Sequence, residues 1–131
     1  MTAVKVVDAS ALGALLFGEP EGKFAAIELA EGHLVAPSLL YLELANIYLK
    51  KLRRAPELAG MLEAGFACLG TMAIEIVEID YKGAAEIRLL AESQKLSAYD
   101  ASYLWLALAM NAELVTLDRR LAAALPGPYQ N

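Results

Sequence analysis

Four acids in this chain stand where an acid is costly: Asp8, Glu43, Asp100 and Asp118. Asp8 ends the β-branched run Val4-Lys5-Val6-Val7, and Asp118 follows Leu114-Val115-Thr116-Leu117. Glu43 has Leu39, Leu40, Asn46 and Ile47 one helical turn away; Asp100 has Leu96, Ser97, Tyr103 and Leu104 at the same offsets. Neither has a Lys or Arg within a turn. An unpaired charge held against apolar surface costs several kcal/mol, so such acids serve a task or are matched by something outside the chain. If the four converge they also repel, by about 4 kcal/mol per pair at about 4 Å and an effective dielectric near 20. Convergence therefore calls for a cation. An all-oxygen donor set without His or Cys selects Mg²⁺ or Mn²⁺, and no loop resembles a dedicated calcium cage. Ser10 and Thr116 lie two positions from Asp8 and Asp118, so in extended backbone each hydroxyl points to the side of its own carboxylate and is expected to orient it.

Each acid also has a purely structural use. Asp8 can cap the helix that follows it, with Ser10 in the same turn, and Asp118 can cap residues 119–125. Asp100 falls three residues after Ser97, the spacing of a capping box. Glu43 lies inside a long helical run where no cap reaches, which leaves it only an ion pair with a distant Lys or Arg.

The elements that must position these acids alternate. Residues 3–7 read as a buried strand, followed by a short helix through Leu12, Leu15 and Leu16; Gly18 and Pro20 break the pattern. A second helix is expected over 22–31, closed by Gly32, then a strand at Leu34-Val35. Pro37 is expected at the first position of a long helix to about Arg54, and Pro56 at the start of another ending near Gly70. A strand over 73–79, a helix from an Asp80 cap to about Ser93, a helix from a Ser97 cap to Met110 stopped by Asn111, a strand over 113–117 and a short helix from Asp118 complete the chain. The alternation predicts a three-layer α/β/α fold around a mainly parallel sheet. Sites in such sheets form beyond the carboxyl ends of the strands, where Asp8 and Asp118 both fall.

The 131 residues are expected to form one domain over 1–131, burying roughly two-thirds of the unfolded surface, with 126–131 a turn-like tail that frays. A 58% hydrophobic composition and a mean hydropathy of +0.44 imply apolar surface covered by another subunit or protein, and a homodimer or tighter assembly is expected. The longest uncharged stretch, residues 101–112, is short of the roughly 18 apolar residues of a membrane span. The acid at position 8 interrupts the first apolar run, so the N-terminus does not read as a signal peptide. A cytoplasmic, membrane-free protein is expected. Cys68, the single cysteine, is expected as a small core residue, and His33, the single histidine, at a strand start. A net charge of −5 argues against a broad basic face for nucleic acid. Setting the four acids aside brings that charge to −1, and a local strip of Lys50, Lys51, Arg53 and Arg54, with Arg119 and Arg120, could then contact phosphate.

The segments Val6-Val7-Asp8-Ala9-Ser10-Ala11, Glu43 in its helix, Leu96-Ser97-Ala98-Tyr99-Asp100-Ala101 and Leu114 through Leu121 together resemble the PIN-domain nucleases, most strongly the VapC-type toxins of toxin–antitoxin pairs. The likeness spans residues 4 to about 121. It implies that Asp8, Glu43, Asp100 and Asp118 surround Mg²⁺ or Mn²⁺, that the protein cuts RNA, that it forms a homodimer and that a small VapB-type antitoxin blocks its site. One departure is the Pro126-Gly127-Pro128 segment, which replaces a closing strand common in the family. Two other classes are weighed beside this one. A metal-stabilised adaptor would bind RNA or protein without cutting. An aspartyl-phosphate phosphatase would use Asp8, but position 10, where its second acid belongs, holds Ser10. The helix with Glu43 also carries Tyr41, Leu42, Leu49 and Leu52 on varied faces, so part of it is expected to meet a protein partner.

Overall fold

The computed structural model describes residues 3–125. Four parallel strands, β1 (Val4–Val7), β2 (His33–Pro37), β3 (Ile74–Val77) and β4 (Glu113–Val115), lie in the order β3-β2-β1-β4. The chain builds β1, β2 and β3 outward in one direction, then returns to place β4 on the far side of β1. Strand order thus reverses between β1 and β4, and the crevice beyond their carboxyl ends is where such sheets bind ligands. Val6, Val7, Val35, Leu114 and Val115 are fully buried, the continuous apolar pattern of strands covered on both faces.

Among the described residues seven α-helices flank the sheet in the expected three layers: α1 (Ala9–Leu16), α2 (Gly22–Leu29), α3 (Leu39–Arg54), α4 (Ala59–Leu69), α5 (Tyr81–Gln94), α6 (Ala98–Met110) and α7 (Arg119–Ala123). Helix α6 crosses β1, β2 and β4, burying Ala101, Tyr103, Leu104, Leu106 and Ala107, and α5 backs it. Helix α1 packs against α2, α3 and α4. Its C-terminal end is met at very short range: a Cβ on Gly65 would lie 2.2 Å from the Leu16 carbonyl oxygen, and one on Gly22 2.6 Å from that of Ala14. Glycine at these positions lets α4 and α2 close on the helix whose other end carries Asp8.

Several boundaries differ from expectation. Pro37 does not open α3 but closes β2, paired with Val77. The register with β1 stops at Val35, so its missing N–H costs no ladder bond on that side. Pro56 begins a single 3₁₀ turn, Pro56–Leu58, before α4. Strands β3 and β4 are shorter than 73–79 and 113–117, and α2 ends at Leu29, ahead of a reversal at Gly32 with φ of 118°. Cys68 is exposed rather than in the core, because α4 buries the stripe Leu62, Gly65 and Leu69 and position 68 falls beside it. His33 starts β2 as expected, its Nε2 2.7 Å from the Glu75 carboxylate. Ser97 and Asn111 cap α6 as predicted, Asn111 with φ of 52°. The expected tail at 126–131 lies outside the described residues. Among the described residues no helix is long and apolar enough to cross a membrane.

Because the obstacle at Gly65 is backbone, Gly65→Ala forces α4 off α1. The expected loss is about 1 to 3 kcal/mol, read as a drop of several degrees in melting temperature. An unchanged melt would contradict the close approach.

Candidate metal and nucleic-acid site

Asp8, Glu43, Asp100 and Asp118 line one cleft of about 240 Å³ together with Ser10, Asn46, Lys50 and Tyr103. The sheet supplies one wall. Asp8 follows β1, its N–H bonded to the Val115 carbonyl at 3.2 Å, so the exits of β1 and β4 are stitched side by side. The helices supply the other wall, with Glu43 on the first half of α3 and Asp100 on the first turn of α6.

Asp8 is 5% exposed, and neighbouring donors serve both of its oxygens. Oδ1 accepts from the Ala11 N–H at 3.0 Å and the Ser10 hydroxyl at 2.7 Å; Oδ2 accepts from the Thr116 hydroxyl at 2.5 Å. It therefore caps α1 and lines the cleft at once. The hydroxyls do not each serve the acid two positions away. Ser10 lies in α1, and Thr116 has already left β4, so extended-strand geometry applies to neither; both hydroxyls converge on Asp8. Their own oxygens accept the Leu117 N–H at 2.9 Å and the Asp118 N–H at 3.0 Å, which fixes the turn that presents Asp118. Asp118 in turn caps α7 through the Arg120 and Leu121 N–H groups. Asp100 has its N–H bonded to the Ser97 hydroxyl at 3.0 Å.

Burial pushes the Asp8 carboxyl above its ordinary range; the bonds from Thr116, Ala11 and Ser10 oppose this and the charge of Asp118 adds to it. Glu43 is raised first by burial, against its bond from Tyr103, and further by Asp100 and Asp8. Asp100 is raised by burial and then by Asp118, with Ser97 and Arg120 pulling it back. Each shifted acid thus senses at least one other acid of the set. Burial and the bond to Glu43 push the Tyr103 phenol upward as well.

The basic residues divide. Lys50, seven positions after Glu43 and so on its face of α3, lines the cleft. Lys51 is turned away into an ion pair with Glu19. Arg53 and Arg54 are exposed on the last turn of α3 and do not line the cleft. Arg120 acts on Asp100 through its charge, whereas Arg119 is exposed and not among the lining residues. Two polar lining residues had no role assigned from sequence, Asn46 and Tyr103. Both stand three positions after an acid of the set, Glu43 and Asp100, and that spacing was the available signal.

The donor chemistry fits a hard divalent cation: four carboxylates with one ammonium among the lining residues. Among the described residues no three His, Cys, Asp or Glu side chains are grouped as a ready-made ion cage. The arrangement suits an ion held by one or two carboxylates and water, the habit of Mg²⁺.

A family model described as the PIN domain matches residues 5–124. The crystal structure of PAE2754 from Pyrobaculum aerophilum matches with a TM-score of 0.67 and 26% identity, over 97% of this chain and 90% of that one. That of Mycobacterium tuberculosis VapC20, a Sarcin-Ricin loop cleaving toxin, matches with a TM-score of 0.66 over 92% and 94% of the two chains. At 16% identity this second likeness is one of fold. No curated protein sequence matches the chain.

Raised carboxyls make the folded, metal-free chain bind protons more tightly than the unfolded one. Their stabilising contribution is complete below the ordinary carboxylate range, about pH 4, and is lost as pH rises through the raised values. In chelator at pH 7, Asp8→Asn, which keeps an acceptor for the α1 cap, is expected to melt a few degrees above the native chain. The gap should close towards pH 4 in paired thermal melts. A native chain that melts higher at pH 7 would contradict the crowding of charge.

Proposed function

We propose that this chain, which belongs to the PIN-domain family, is a divalent-metal-dependent endoribonuclease that hydrolyses RNA phosphodiester bonds. The observation that carries this reading is the gathering of Asp8, Glu43, Asp100 and Asp118 in one cleft at the switch point of the sheet. Asp8 and Asp100 would be the principal holders of Mg²⁺ or Mn²⁺, with Glu43 and Asp118 completing the shell directly or through water. A bound ion of this kind lowers the pKa of water and offsets charge on the transferring phosphoryl oxygens.

The chain's own groups do the rest. Thr116 and Ser10 hold the Asp8 carboxylate by both oxygens, so its orientation is set before substrate arrives. Glu43, half-buried and with its carboxyl pushed above the usual range, would accept the proton of the attacking water. Lys50 is placed to meet a phosphate at the cleft, and Arg120 to meet one beside Asp100.

The toxin named in VapC20, together with the sequence likeness, supports a narrower proposal: this chain is the toxin of a type II pair, checked by a VapB-type antitoxin and paired as a homodimer in the cytoplasm. Tyr41, Leu42 and Leu49 on α3 are exposed, Leu42 at 76%, which supports a protein partner on that helix. The phosphatase alternative has little support, because position 10, where its second acid belongs, holds Ser10. The adaptor alternative predicts metal-dependent stabilisation without cleavage.

Purified protein freed of copurifying partner is expected to degrade mixed cellular RNA with Mn²⁺ and not with chelator. Asp8→Asn and Asp100→Asn, each folded by circular dichroism, should lose activity by about 100-fold or more. Full activity in either variant would remove its residue from the mechanism, and no cleavage at any concentration of native protein would favour the adaptor.

A further inference from the structure

Tyr103 is 1% exposed, yet it lines the acidic cleft. Its hydroxyl donates to Glu43 Oε1 at 2.5 Å, across 60 residues of sequence and between two helices. Buried phenols ordinarily seek a partner, but two features go beyond that need. Tyr103 stands three positions after Asp100 on α6, so a single bond ties the helix that carries one acid of the cleft to another acid on α3. The polarity of the bond is also fixed: a phenol at neutral pH has one hydrogen to give, and the oxygen it meets is a carboxylate's. Among the described residues Oε2 of Glu43 has no hydrogen-bond partner, which leaves that oxygen to the cleft.

We propose that Tyr103 is a positioning residue for the metal-dependent cleavage, clamping one oxygen of Glu43 so that the other is presented to the reacting centre. This rests on the nuclease reading, and it assigns Glu43 the part of an acceptor, as ligand or base, held in place from α6. Losing the clamp frees a side chain with three rotatable bonds, and misplacing a group at a reacting centre is costly to rate.

The test uses the full chain, free of partner, with Mn²⁺ as the probe. Tyr103→Phe is expected to weaken Mn²⁺ binding by titration calorimetry and to lower kcat for RNA, each by about 10- to 100-fold, with KM for RNA unchanged. In a Glu43→Ala background the same substitution should change neither quantity further, because the two residues act as one unit. Site-specific 3-fluorotyrosine at position 103, which keeps the donor, should restore both, and melting temperatures recorded in parallel separate loss of fold from loss of positioning. Native-like behaviour of Tyr103→Phe, losses that multiply in the double variant, or failure of the fluorinated residue to restore binding would each overturn the proposal. A native chain that neither binds Mn²⁺ nor cleaves RNA removes the nuclease reading and this inference with it. A native chain that does both, beside an equally active Tyr103→Phe, removes this inference alone.

Discussion

Like charges brought together at the exit of a parallel sheet are the constraint on which the rest of this molecule depends. The acids repel, burial penalises three of them further, and the fold must still present them at one cleft. It does so by dividing the task. The Asp8 carboxylate accepts from three donors, the Ser10 and Thr116 hydroxyls and the Ala11 N–H, and the two hydroxyls also accept N–H groups of the turn after β4, so the wall formed by the sheet is held by hydrogen bonds as well as by packing. Glu43 and Asp100 ride on helices, where a Tyr hydroxyl and a helix cap respectively keep them in place.

That division explains why small polar residues surround the acids in place of cations. A lysine paired to Asp8 would have neutralised it. Hydroxyls and peptide N–H groups lower the cost of a buried carboxylate without cancelling its charge. Lys50 stands on the cleft lining two turns along α3 from Glu43, and Lys51 beside it is diverted to Glu19.

Much of this was legible in the sequence for a physical reason: β-branched runs that stop at an acid mark strand ends, and strand ends in an alternating α/β chain converge. The four acids, the parallel sheet and the caps at Ser97, Asn111 and Asp80 follow from local pattern alone. What stayed hidden depended on contacts between distant segments. Thr116 reaches Asp8 across 108 residues, and spacing along the chain pointed it at Asp118 instead. Tyr103 looked like one more apolar position of α6, because nothing local says which buried aromatic ends against an acid. Pro37 read as a helix start because its tolerance at the end of β2 depends on where the register with β1 stops. Cys68 was misplaced by composition, since its residue type favours the interior while the phase of α4 puts it outside.

The pairing of β4 with β1 has a consequence for the order of assembly. Strands β1, β2 and β3 can associate as they are made, but the strand that completes the crevice follows all three in the chain. A nascent chain carrying Asp8, Glu43 and Asp100 has neither the Thr116 hydroxyl that steadies Asp8 nor Asp118 itself. The cleft is therefore unfinished until β4 and the turn after it have been made and have docked beside β1.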